Sequence, residues 1–161
     1  MIATSGRPTI TDTLAALTPQ LQPGDEILIE RDNTGDHGNT PRNKAIPRCA
    51  ASHILFVDDD DTHTEDALAT VRTEITKHPR RVHLFAMQYD DGRTVQPRWP
   101  LEIGYVGTPM IVAPNVKGML GTWSQRYEGD YDFAKSTLER RGDTPILHDH
   151  VIATVTPRWP R

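Results

Sequence analysis

Cysteine is nearly absent: Cys49 stands alone in 161 residues. That excludes an intrachain disulfide framework and every multi-cysteine metal motif. No apolar run approaches the roughly 18 residues a spanning helix needs, and no signal-peptide pattern precedes the first apolar stretch. The formal charge of −4 argues against a dedicated binder of nucleic acid or anionic membrane, while leaving room for a local basic patch. A glycine-rich phosphate loop of the G-x-x-x-x-G-K type is missing, and there is no internal repeat. These absences together predict a soluble, cytoplasmic domain. The length suits one compact domain and is short for two. With 36% hydrophobic residues, thirteen prolines and eleven glycines, it should fold around a modest core with many loops.

Against that background the segment His53 to Asp61, HILFVDDDD, stands out. Ile54 to Val57 reads as a strand buried on both faces, the pattern of parallel strands in α/β proteins. Such strands place ligands beyond their carboxyl ends. While the chain stays extended, Asp58 and Asp60 point one way and Asp59 and Asp61 the other. Two carboxylates aimed at one crevice suit a hard cation and a phosphate. A solvated acidic turn ahead of a capped helix is the plain structural alternative.

The rest of the chain alternates strand and helix. Met1 to Thr4 reads as a strand, and Thr9 or Thr11 caps a helix carrying Leu14, Ala15 and Leu17. Asp25 to Glu30 reads as a second buried strand. Pro41, capped by Thr40, opens a helix toward Ala51 that Pro47 should shorten or break. Thr62-x-x-Glu65 is a capping box for a helix ending near Pro79. Val82 to Tyr89 and Met110 to Ala113 are further strands. Asp130 or Asp132 heads a helix that Gly142 ends, and Ile146 to Val155 is the last strand. The alternation predicts an α/β sandwich around a mostly parallel sheet flanked by helices. Residues 1–155 are read as one domain and 156–161 as a loose tail.

Six pieces in order resemble family 2 glycosyltransferases of the GT-A fold, the Rossmann-like nucleotide-diphospho-sugar transferase sandwich. Ala3-Thr4-Ser5-Gly6-Arg7-Pro8 is similar to the family's opening P-T-Y-N-R-P. Ile27 to Asp36 resembles the strand and acidic loop V-D-D-G-S-T-D, with Asp32 on the second aspartate. Pro41 to Ile46 resembles A-R-N-x-G-I, and Ile54 to Asp61 the strand bearing D-x-D. Gly107 to Trp123 resembles the acceptor-side strand and helix, and Gly129 to Phe133 sits where the family has E-D-x-D-L. The departures are a short chain, Ser5-Gly6 for tyrosine-asparagine, Gly129 for the glutamate, and Pro47 after the R-N pair.

The resemblance implies a metal-dependent transferase that moves a sugar from a UDP- or GDP-linked donor to an acceptor, a glycan, protein or small molecule. Asp60 would hold Mn²⁺ or Mg²⁺, and Asp58 would bond ribose or the metal's water shell. Thr4, Arg7 and Asp32 would contact the nucleoside, and Arg42 the phosphates or ribose. Asp130 would act as general base in an inverting reaction, although aspartates at a helix start also serve as caps. His148 and His150 share a strand face, where packing and metal binding both fit; His148 is the candidate ligand. Trp99, Trp123, Tyr127 and Trp159 could stack on a sugar or simply pack. Fold-level analogy adds a possible homodimer. The alternatives are a non-catalytic or partner-dependent nucleotide-sugar binding module, or a metal-dependent phosphohydrolase or nucleotidyltransferase using the aspartate cluster.

Overall fold

The computed structural model describes residues 1–156. In chain order it contains β1 (Ile2–Thr4), α1 (Ile10–Leu17), β2 (Ile29–Arg31), α2 (Asn39–Ala45), β3 (His53–Leu55), β4 (Val57–Asp58), β5 (Thr62–His63) and α3 (Ala67–Lys77). There follow β6 (His83–Tyr89), β7 (Thr94–Val95), β8 (Ile111–Pro114), α4 (Gly129–Arg141) and β9 (Ile146–Val155). Short 3-10 turns lie at Thr18–Gln20, Ile46–Arg48 and Thr108–Met110.

The strands form one curled sheet built from two ladders. Strands β2, β1 and β4 pair in parallel. The second ladder runs β3-β8-β6-β9-β5, with β7 beside β6. Only its β6·β9 pair is parallel; the others are antiparallel. The apolar run 54–57 joins the ladders. His53 to Leu55 pair with β8, Val57 and Asp58 pair with β1, and the Phe56 N–H donates to the Ile111 carbonyl at 3.4 Å. What reads as one strand thus changes partners at Phe56. The α/β class stands, while parallel pairing is less prevalent than the strand–helix alternation suggests. β5, β7 and β8 supply the antiparallel members, β7 through a hairpin from β6.

Phe56 is fully buried because it lies between two aromatic rings, with centroids 5.0 Å from Trp123 and 4.9 Å from Phe133. Edge-on aromatic contacts of this kind add to the area term of burial. Leu84, Ile111, Ala113, Ala134 and Leu138 complete this face of the core. On the other face, Val71 of α3 packs with Phe85, Val112 and Ile152.

Several local expectations change. Ile27 to Ile29 do not form a buried strand. β2 is the sheet's outermost strand, and Ile29 is 43% exposed. The Thr62-x-x-Glu65 box does not form, because Thr62 and His63 pair with Thr154 and Ala153 as a strand. α3 instead begins at Ala67, with the Thr64 hydroxyl on Asp66 at 2.8 Å. Thr40 is not the cap of α2; the Asp36 carboxylate accepts its N–H at 3.0 Å and its hydroxyl at 2.5 Å. Pro47 does end that helix, in the 3-10 turn Ile46–Arg48. Gly142 closes α4 in the left-handed conformation, where glycine pays no steric cost.

Because β1, β4, β6 and β9 run the same way, their carboxyl ends meet at one pole. The aspartate run lies there. Among the described residues, no helix is long and apolar enough to cross a membrane.

Candidate active site

A cleft of about 550 Å³ opens at that pole. The chain leaves the sheet at Asp58 and turns at once, the Asp61 N–H donating to the Asp58 carbonyl at 3.3 Å. That turn sets aside simple alternation, since all four aspartates line the cleft. They differ in burial: Asp59 and Asp61 are 3% and 2% exposed, whereas Asp58 and Asp60 are partly open.

Two arginines hold this acidic floor. Arg7 reaches Asp59 at 3.1 Å and Asp60 at 3.0 Å through one nitrogen. Arg42 does not face the cleft. It is 1% exposed, pairs with Asp58, donates to the His37 carbonyl at 2.8 Å, and lies 4.6 Å from the centroid of the Trp123 ring. A guanidinium stacked on an aromatic face and forked toward oxygens is strongly fixed. Arg42 therefore positions Asp58 from beneath. Thr4 is also buried, its hydroxyl donating to Asp59 at 2.6 Å. These two side chains act on the aspartates, a different contact from the ribose, phosphate or nucleoside that the resemblance assigns to them.

Among the described residues, Asp61 makes no ion pair with an arginine. Burial, reinforced by the charges of Asp58 and Asp60, pushes its carboxyl well above the ordinary range. Its carboxylate accepts the Asp58 N–H at 3.3 Å, which ties the two ends of the turn together.

The loop after β2 is built around Asp32. Its carboxylate accepts the Thr34 N–H at 2.8 Å, the Thr34 hydroxyl at 2.6 Å and the Gly38 N–H at 3.0 Å. Burial pushes this carboxyl up, but the hydrogen bonds outweigh it and leave the pKa below the usual value. Asp32 thus shapes its loop and lines the cleft as well. The loop ends at His37 and Gly38, both with positive φ. A Cβ on Gly38 would stand 2.8 Å from that of Ala3 and 2.9 Å from an Arg42 nitrogen, so glycine is required twice over.

Asp130 lines the same cleft from the first turn of α4. Burial raises its pKa to about 7, aided by the charge of Asp58 and opposed by the Tyr131 N–H, which it accepts at 2.6 Å. Asp132 does not line the cleft; it receives Arg126, whose hydrogen bond holds it down at about 2. Gly129 stands where the resemblance expects glutamate, and packing explains it. A Cβ there would lie 2.6 Å from the Asn39 side chain, whose amide donates to the Arg126 carbonyl at 2.9 Å.

The structure brings Arg7, Asp32, Asp58, Asp60 and Asp130 to one cleft. It does not bring His148 there. Its ring stacks on Phe85 with centroids 4.3 Å apart and shares a 2.9 Å hydrogen bond with His83. Burial and His83 depress its pKa to about 4. His148 and His150 do share a face, the one toward α3: His148 lies 3.9 Å from Glu74 and His150 pairs with Asp66 at 3.0 Å, and neither lines the cleft. Trp123 is core and Trp99 is exposed away from the cleft, whereas Tyr127 lines it and meets His37 edge-on at 5.4 Å. Thr156 also lines the cleft; residues 157–161 of the expected tail, with Trp159, lie outside the described residues.

Sequence reasoning did not single out His37, Glu128 or Asn39. The T-G-D-H-G-N stretch of residues 34–39 signals a turn but not that the turn faces α4. Among the described residues, no group of three or more His, Cys, Asp or Glu side chains is arranged to hold a metal ion. Asp58 and Asp60 offer oxygen donors of the class a hard cation takes. The remaining ligands would have to come from a bound substrate and water.

This architecture is the GT-A-like α/β fold. Solved structures share it over nearly the whole chain. S. aureus TarS matches with a TM-score of 0.73 at 19% identity, over 97% of this chain and 36% of that one. TarS 1-349 in complex with UDP matches at 0.70 and 19%, over 98% and 59%. TarS 1-349 in complex with UDP-GlcNAc matches at 0.61 and 20%, over 94% and 48%. The chain therefore spans roughly a third to three fifths of the length of these structures. No family model matches the chain, and no curated protein matches it.

Proposed function

We propose that the protein is a glycosyltransferase that takes a sugar from a uridine diphosphate donor and passes it, with inversion, to an acceptor hydroxyl. The observation that carries this reading is the placement of Asp130, with its pKa raised to about 7, in the same cleft as Asp58 and Asp60. A carboxyl poised near neutrality is suited to take a proton at physiological pH. The TarS complexes with UDP and UDP-GlcNAc, on the same fold, support the uridine nucleotide.

In this reading Asp58 and Asp60 would hold Mn²⁺ or Mg²⁺, which would supply positive charge against a leaving diphosphate. Arg7 contacts Asp59 and Asp60 and keeps the turn in shape while offering donors at the cleft surface. Asp32 and the His37–Gly38 turn border the nucleoside. Asp130 removes the acceptor proton through a carboxylate oxygen, and the low polarity that raises its pKa also strengthens its basicity.

The fraction of the TarS structures that the chain spans keeps a second reading in play, a donor-binding module completed by a partner. Release of UDP from UDP-sugars, followed by chromatography in wild type and Asp130→Asn, separates the two. The transferase reading predicts UDP release that the variant loses while donor binding is kept. Donor binding with no release from either protein, across a panel of acceptors, would favour the module.

A further inference from the structure

The charge of the molecule is strongly polarised. The cleft pole gathers Asp32, Asp36 and Asp58 to Asp61 with Asp130, against Arg7 and Arg42. At the opposite pole, α3 and α4 both end and the loops entering β6, β9 and β3 converge. Among the described residues, four cations there form no ion pair with a carboxylate: Arg80, Lys117, Arg140 and Arg141. Two of them hydrogen-bond to backbone. Arg140 donates to the Leu120 carbonyl at 2.6 Å, and Arg141 to the Arg80 carbonyl. These bonds tie the 115–120 loop, the end of α4 and the 78–81 loop into one contiguous surface.

A second observation lies on the same surface. Val116 and Met119 are 45% and 42% exposed, on either side of Lys117 at the tip of the loop that leaves β8. The loop is held rather than free: the Met119 N–H donates to the Val116 carbonyl at 3.0 Å, and the Asn115 side chain donates to the Cys49 and Ala51 carbonyls at 2.9 and 3.0 Å.

We propose that this pole docks the protein on an anionic lipid bilayer surface. Lysine and arginine near such a surface each add to attraction, and apolar side chains on a rigid tip can enter the headgroup boundary. The pairing of unneutralised cations with exposed Val116 and Met119 favours lipid over nucleic acid, whose backbone offers nothing to two aliphatic side chains. The acidic cleft pole is repelled by the same surface, so docking has one orientation, with the cleft directed away from the bilayer.

The test is co-sedimentation of the whole protein with phosphatidylcholine vesicles, with and without phosphatidylserine, at low and high salt. Binding that requires phosphatidylserine and falls with salt is expected. Arg80→Glu with Lys117→Glu should weaken it about tenfold or more, given two charge reversals. Val116→Ser with Met119→Ser should also weaken it, at either salt. Thermal melting confirms that the variants fold; both pairs are surface side chains away from the cleft, so unchanged melting is expected. No binding to the anionic vesicles overturns the proposal. So does tighter binding to a DNA duplex than to vesicles with no effect of Val116→Ser and Met119→Ser.

Discussion

Arg42 lies under Asp58 and pairs with its carboxylate while resting on the face of Trp123. The same guanidinium holds the His37 carbonyl, so one buried cation sets both an aspartate of the cleft and the loop beside it. Asp58 is partly exposed, so losing Arg42 forfeits its hydrogen bonds and its packing on Trp123 and strands no buried charge, a cost on the order of 2 kcal/mol. Arg42→Ala should lose stability of that order in denaturant unfolding, and Arg42→Lys should recover only part of it. A loss under about 1 kcal/mol would show that the pair is not structural.

Asp130 gives a pH signature. Its carboxyl titrates at about 7 in the folded protein, against an ordinary value near 4. Between these values the folded state holds a proton that the unfolded state has lost, so this group's contribution to stability falls as pH rises through that window. Asp130→Asn should flatten this slope and raise stability near pH 8 by on the order of 1–3 kcal/mol. Turnover, which needs the ionised form, should rise with pH through about 7. Thermal melts and rate profiles across pH check both halves.

Burial acts in the opposite sense at His63. It is 4% exposed, neither ring nitrogen has a hydrogen-bond partner, and its pKa is pushed down to about 4. The unfolded chain takes up the proton first as pH falls, so stability is lost progressively from about 6.5 toward 4. His63→Leu removes two unsatisfied buried atoms at similar volume. The variant should be at least as stable as wild type at pH 7 and clearly more stable at pH 5. Equal melting points at pH 5 would contradict the assignment.

Much of the element order is legible in the chain. The apolar runs give β1, β6, β8 and β9, and Gly142 ends α4. The acidic run locates the cleft because it follows a buried strand. What does not read out is pairing and direction. Residues 54–57 look the same whether one strand has one partner or, as here, passes from β8 to β1 at Phe56. Arg42 looks like a phosphate ligand in an R-N motif; only the fold shows Trp123 beneath it. His148 and His150 do share a face, as alternation along β9 implies, but only the fold shows that this face meets α3 through Glu74 and Asp66 and not the cleft.

Gly38 offers a sharper local test. Its φ is 79° and a Cβ would press on Ala3 and Arg42. Gly38→Ala should cost at least about 1 kcal/mol through strain and displacement of Arg42. It should also weaken nucleotide binding, since the 32–38 loop and the Asp58 carboxylate move together. Unaltered stability would mean the loop relaxes independently of the aspartates.

The central claim is that the aspartate cleft binds a nucleotide sugar through Asp60 and a divalent ion. Calorimetric titration with UDP, GDP and their sugar conjugates, with and without Mn²⁺, tests it most directly. The account predicts Mn²⁺-dependent binding of UDP and a UDP-sugar that disappears in Asp60→Ala. Binding of no nucleoside diphosphate under any condition, or binding unchanged in Asp60→Ala, would contradict it.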